Sequence, residues 1–285
     1  MAVVALFPFV LFCVVLAAFP LAQVVRMAFS NVDLRGSGFV YSAAGISNFV
    51  EVLSTAASWH AIWNTVVFVA ATVVGSIVTG LAAALLVNRS VRLLRVARNV
   101  FIWPAVIAPV VVSLMWLLIL SPTAGGLNKL LGSLGLPDQQ WLNTGTGAMA
   151  SLVVVDIWHW TPVVFLFLYT ALQSISEETL EAARMDGARE GQLTRLVILP
   201  MLAPAIAAVA VVRVVMGVKV FDEMYLLTAG GPGDATTLVS QRVQLWFFQD
   251  LKFGEASAFS LVVVGLTVFV LLVLIAVRRV AGGRA

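Results

Sequence analysis

Charge is what this sequence has least of. Only 11% of its 285 residues are Asp, Glu, Lys or Arg, against 61% hydrophobic. Soluble domains carry roughly 25% charged residues. So few charges cannot coat the surface of a water-soluble domain of this length, which excludes a soluble globule with a rich core. Cysteine is scarcer still: Cys13 is alone, so no internal disulfide exists. It sits in the first apolar run and reads as a small packing residue. No cysteine or histidine cluster offers a metal site. No Gly-Lys-Ser/Thr ending follows the glycine-rich stretch, which excludes a phosphate loop. No nucleophile–base pair is evident either, so the chain is not expected to be an enzyme, to hold a metal or to bind a cofactor itself.

What is present is long apolar sequence, with a mean hydropathy of +1.03. A spanning helix needs about 20 mainly apolar residues, and about six windows qualify. They are 6–29, 61–87, 100–120, 148–172, 200–221 and 256–277. The fold expected is an all-α integral membrane protein, with one transmembrane domain over 1–285. Membrane strands are not expected, because barrel strands alternate over about ten residues and these runs are continuous. Residues 1–6 carry no basic side chain, and the first run continues to Phe29. That exceeds a signal-peptide hydrophobic region, so a retained first span is expected.

The net charge of +3 is carried by arginine-rich segments. Arg89, Arg92, Arg95 and Arg98 lie in 88–99; Arg184, Arg189 and Arg195 follow the fourth window; Arg278, Arg279 and Arg284 end the chain. The positive-inside rule places these segments and both termini in the cytoplasm. The basic balance is therefore a topology signal, not a nucleic-acid signal. Pro104 and Pro109 are expected to interrupt the third window, Pro162 the fourth, and Pro200 and Pro204 the start of the fifth. Gly75 and Gly80 read as close-packing positions of the second.

Residues 173–199 are charged throughout and long for a connector. Ser174 with Glu177 has capping-box spacing, Glu177, Glu178 and Glu181 suit early helical turns, and Gly187 ends or weakens the helix. A second helix is expected from Ala188 toward Pro200. Glu181-Ala182-Ala183, three residues, Gly187, nine residues, then Val197-Ile198-Leu199-Pro200 resembles the EAA motif of ABC importer permeases. The string 181–188 is similar to the maltose-type carbohydrate branch. Val197 and Ser176 depart from the usual isoleucine and proline. Gly45-Ile46-Ser47-Asn48-Phe49, Trp63-Asn64-Thr65, Trp103-Pro104, Trp141-Leu142 and Leu227-Thr228-Ala229-Gly230-Gly231-Pro232 resemble further stretches of the same branch.

The resemblance implies a type I ABC importer permease fold in a bacterial cytoplasmic membrane. It implies a cytoplasmic coupling helix with Glu181, Ala182, Ala183, Asp186 and Gly187 docking on a separate ATPase. The implied partners are an ATPase dimer using ATP and magnesium, a second, distinct permease and an extracytoplasmic solute-binding protein. Ionisable residues within spans are functional candidates. Asp156, His159 and Trp160 share a helix face by spacing. Carried over from the family, Asp156, His159, Trp160, Met216, Gly217 and Val220, with Lys219 nearby, are pathway positions for a sugar or sugar alcohol. Two readings stay beside this one: Asp156 and Lys219 as a structural ion pair, and Trp158 and Trp160 as packing aromatics. Arg213 and Lys219 would also suit glycerol phosphate or another polar solute. An ion-coupled secondary transporter is the alternative of a different class, against which stand the EAA-type segment and the lack of a detectable inverted repeat.

Overall fold

The computed structural model describes residues 2–36, 38–88 and 102–282. Among these, four helices are long and apolar enough to cross a membrane: Ala56–Asn88, Gly145–Gln173, Glu190–Val218 and Phe253–Ala276. They answer to the second, fourth, fifth and sixth expected windows. The first window falls in α1 (Ala2–Ala28), whose described apolar stretch is Val14–Ala28. Residues 89–101 lie outside the description, and with them Arg89, Arg92, Arg95, Arg98 and the start of the third window. Arg284 and the side chain of Cys13 also lie outside it.

Among the described residues, the third window is not one continuous helix. It is divided into α4 (Trp103–Val106) and α5 (Pro109–Ile119). Ile107 and Ala108 between them are extended, with ψ of 135° and 140°. Proline pushes the preceding residue out of helical conformation and is well tolerated in a first turn. Pro104 and Pro109 thus begin helices where kinks in one helix were expected. Pro162 is carried inside α7 (Gly145–Gln173) and Pro204 inside α10 (Leu199–Val218) without ending either.

The chain forms two compact units. The first comprises 1–62 and 239–270. Its hairpin, β1 (Ser30–Arg35) with β2 (Gly38–Ala43), is antiparallel from Ser30↔Ala43 to Arg35↔Gly38. This hairpin is a departure from the expected all-helical chain. It joins α1 to α2 (Ser47–Ser54) in a segment too polar to span a membrane. Met27, Val32 and Phe253 form its small core, with Tyr41 and Phe247 packed on it. Asn48 fastens the hairpin base: its Nδ2 donates to Ala28 O (3.0 Å) and Ser30 O (2.9 Å). Gly254 lies so close that a Cβ there would sit 2.7 Å from Ser30 O. α12 (Val239–Gln244) and the first part of α13 (Phe253–Gly282) complete this unit.

The second unit comprises 63–238 and 271–285. α7 runs through it, with Ala148, Leu152, Val155, His159, Phe165 and Leu168 all buried. α3 (Ala56–Asn88) approaches α7 at its glycines. A Cβ on Gly75 would collide with Ile157, and one on Gly80 would stand 2.8 Å from Val164 Cγ1 and 3.1 Å from Phe165 N. The packing role read for these glycines is what the structure shows. A second close approach sets Gly217 of α10 against Val69, 3.1 Å from the Cγ2 that its own Cβ would meet. The outward Val, Leu and Phe side chains are widely exposed, including Val74, Val78, Phe167 and Val212. Such a surface suits a lipid solvent.

Candidate functional site

Two pairs of ionisable residues are buried where the helices of the second unit meet. Asp156 of α7 bonds Arg213 of α10 through its Oδ1 and the guanidinium Nη2. Arg213 Nε also donates to Ser76 Oγ of α3 at 3.3 Å, and that hydroxyl donates on to Val73 O at 3.2 Å. Trp160 lies beside the guanidinium, 5.7 Å from ring centroid to Cζ. Arg213 Nη1 is buried and has no hydrogen-bond partner among the described residues. One residue on each of three helices thus closes a polar core within apolar surroundings. The partner of Asp156 is Arg213 and not Lys219, which corrects the ion-pair expectation. Lys219 caps the C-terminus of α10 and is exposed.

The second pair joins His159 Nδ1 to Glu223 Oε1 of α11 (Asp222–Leu227). His159 Nε2 lies 3.2 Å from Ile107 O, in the break between α4 and α5. A carbonyl there has no helical donor, and inside a membrane a freed carbonyl needs an internal partner. The imidazole supplies it by donating from Nε2. Nδ1 and Glu223 then hold one proton between them, either as an ion pair or as a neutral acid donating to a neutral ring. The His159 and Trp160 rings lie 4.9 Å apart, tilted by 34°, so the two pairs adjoin. The pair also ties down α11, which follows a second break at 219–221.

The expected pathway residues therefore separate. Asp156 and His159 are buried and engaged. Gly217 is used in helix packing. Trp160 and Met216 are half-buried beside Arg213, Met216 lining with it a cavity of about 20 Å³. Val220 is half-buried in the 219–221 break. Sequence reasoning passed over Ser76 and the Ile107 carbonyl, and it left Arg213 and Glu223 without a role in this cluster. An arginine in the fifth apolar window and a glutamate next to it were the available signals.

The glycine-rich segment after α11 is a folded turn. Ala229, Gly230 and Gly233 take φ of 48°, 85° and 59°. Thr236 Oγ1 lies 2.9 Å from Gly231 O, to which it donates. Asn64 Nδ2 donates to Asp234 O (3.0 Å) and Thr237 O (3.2 Å), which joins the Trp63-Asn64-Thr65 stretch to this turn.

The 173–199 segment is built differently. Ser174 closes α7 as its C-cap, so the capping box expected at Ser174 is not formed. α8 (Glu177–Met185) starts two residues later from Ser176, with Glu177 and Glu178 in its first turn. Gly187 takes φ +85°, its N–H meets Arg184 O (3.0 Å), and Ala188 N–H meets Ala183 O (3.0 Å). These two bonds make a Schellman cap, which a glycine in the left-handed region permits. The chain resumes at α9 (Glu190–Gln192), where Gln192 Oε1 accepts Arg189 N–H at 2.9 Å. A π-helical stretch, Leu193–Ile198, leads into α10, so the second helix does not stop at Pro200. Pro200 has no N–H to donate, and the wider π turn just before it takes up the mismatch. Ala183 and Leu180 pack on a core of Leu172, Leu193, Ile198 and Leu202. Glu181, Ala182, Met185 and Asp186 face outward, Met185 at 87% exposure.

A family model described as the binding-protein-dependent transport system inner membrane component matches residues 76–282. The trehalose/maltose transport system permease protein MalF of Thermococcus litoralis is 33% identical over 196 residues, 69% of this chain and 66% of that protein. The sn-glycerol-3-phosphate transport system permease protein UgpA of Brucella abortus is 31% identical over 264 residues, 92% of this chain and 88% of that one. In fold, the chain is similar to a subunit of a bacterial ABC transporter involved in the import of the acidic polysaccharide alginate. There the TM-score is 0.83 at 21% identity, covering 97% of this chain and 94% of that chain.

Proposed function

The chain belongs to the family of inner membrane components of binding-protein-dependent transport systems, and from that premise we propose that it forms half of the pathway of an ATP-driven importer for a sugar or sugar alcohol. A member of this family is a permease subunit, not an enzyme. ATP and magnesium are used by a separate ATPase dimer, a second and distinct permease completes the pathway, and a solute-binding protein delivers the cargo from outside. Both termini face the cytoplasm, and the whole chain works as one permease domain.

The observation that carries the reading is α8. It is glycine-capped, seated on the stem of α10, and presents Glu181, Ala182 and Asp186 outward. Alanines let another backbone approach closely, and the two carboxylates make no ion pair among the described residues. They are open to basic groups on the ATPase. A pull on α8 passes through Ala183 and Leu180 into α10, and α10 carries Arg213 of the buried cluster. Of the pathway positions, Trp160, Met216, Val220 and Lys219 line the route, while Asp156, His159 and Gly217 hold the helices that form it.

The glycerol-phosphate reading has one relative's name on its side. Arg213 is committed to Asp156, which leaves Lys219 as the cation among these pathway residues. Family membership sets aside the secondary transporter. The test is ATPase activity of the reconstituted complex with its binding protein, across sugars, polyols and glycerol phosphates. Stimulation by a sugar or polyol, abolished by Glu181→Lys, is the expected result. Uptake that ignores ATP would refute the reading.

A further inference from the structure

A cavity of about 550 Å³ at the N-terminal end of α7 belongs to none of the groups above. Its walls come from Trp116 of α5, from the segment 138–141, and from the first turns of α7. Cavities that hold small organic ligands measure roughly 300–1,000 Å³. The wall is set in advance by Asn128 of α6 (Gly126–Ser133), which is buried. Its Oδ1 accepts Trp141 Nε1 at 2.8 Å and Gln139 N–H at 3.2 Å. Its Nδ2 donates to Pro122 O (3.2 Å) and Gln139 O (3.0 Å). Asn128 thus holds the Trp141 ring and the backbone beside it, and its own polar atoms are fully occupied.

The groups facing the cavity have capacity left. The Asp138 carboxylate makes no hydrogen bond or ion pair among the described residues. Gln139 gives its Nε2 to Pro137 O at 3.1 Å, and its Oε1 remains open. Among the described residues, no lysine or arginine lines the cavity. An aromatic face with two acceptor groups suits a ring that has C–H faces and hydroxyl donors. A carboxylate with no cation beside it repels phosphate and carboxylate ligands.

We propose that this cavity is a holding subsite for a neutral saccharide, one ring lying on Trp141 and its hydroxyls donating to Asp138 and Gln139. The proposal rests on the importer reading and narrows its cargo to an uncharged sugar. In the orientation proposed above, the N-terminal end of α7 is outside, so the subsite meets a solute before the buried cluster does.

The test uses the assembled transporter with its ATPase and binding protein in nanodiscs. A photoreactive maltose or trehalose analogue is crosslinked and the labelled residues are mapped by mass spectrometry. Labelling within 138–154 is expected, displaced by the parent disaccharide and not by sn-glycerol 3-phosphate. Asp138→Asn should weaken it about tenfold, the size of one hydrogen bond to a charged group. Trp141→Leu should weaken it further, and Trp141→Phe should restore part of the loss if the leucine variant fails to assemble. Neutral-sugar uptake with no label in 138–154, or label indifferent to Asp138→Asn, overturns the subsite and leaves the importer standing. Uptake of glycerol phosphate alone overturns the sugar cargo and the subsite together.

Discussion

Asp156, Arg213, His159 and Glu223 are each exposed by 2% or less, whereas Glu181 and Asp186 stand in the open. Both sets are polar residues in an apolar chain, yet they are held for opposite purposes. In the buried set each charged side chain is answered from another element: Ser76, Asp156, Arg213 and Glu223 come from four different ones. In the exposed set the backbone is answered and the side chains are not. The α8 cap satisfies its carbonyls through Gly187 and Ala188, and Glu181 and Asp186 make no ion pair among the described residues. Charge inside a membrane protein therefore reports packing when it is paired and a contact surface when it is not.

That contrast can be broken most severely at the buried pair. Asp156→Leu leaves Arg213 buried without its counter-charge, and removing one partner of a buried pair costs about 3–5 kcal/mol. Thermal unfolding of the purified protein should drop accordingly. Asp156→Leu with Arg213→Met should recover most of the loss, since an apolar pair of similar volume is often neutral or better. A single variant as stable as wild type would show that the pair does not hold these helices. Glu223→Ala should cost about 1–3 kcal/mol by orphaning His159. Glu223→Gln should cost less, because the amide can still donate to Nδ1; equal losses would mean that the hydrogen bond is not what matters.

Smaller stability changes are expected at the exposed set, with larger functional ones. Gly187→Val forces a β-branched residue into the left-handed region, at a cost of roughly 1–2 kcal/mol. Glu181→Lys lies on open surface, where substitutions stay within about 0.5 kcal/mol. In ATPase stimulation the order inverts: Glu181→Lys should abolish it, while the paired Asp156/Arg213 replacement should keep a measurable share. A Glu181→Lys variant that melts early would place that glutamate among the structural residues and erase the distinction.

The sequence carried much of this plan at particular residues. Glu181-Ala182-Ala183 and Gly187 announced a short helix and its glycine stop, because a Schellman cap is a local arrangement of neighbouring residues. The long apolar windows announced the helices, and Gly75 and Gly80 announced close packing. Other features were illegible. The hairpin at 30–43 pairs segments too short and mixed to stand out beside the spans. Pro109 marked a disturbance, and sequence did not say whether it kinks one helix or starts another. Its carbonyl neighbour Ile107 acquires meaning only when His159 arrives from 52 residues away.

The sequence by itself determined that this protein lives in a membrane, since 61% hydrophobic residues in long runs leave too little charge for a water-facing surface. It also determined where its local turns and caps fall, because those depend on residues a few positions apart. Only the tertiary structure decided which charge meets which. Asp156 could pair with Lys219 or Arg213 by sequence, and the crossing of α7 with α10 brings the second to it. Contacts between residues 57 and 64 positions apart are set by how helices cross, and spacing along the chain does not contain that information.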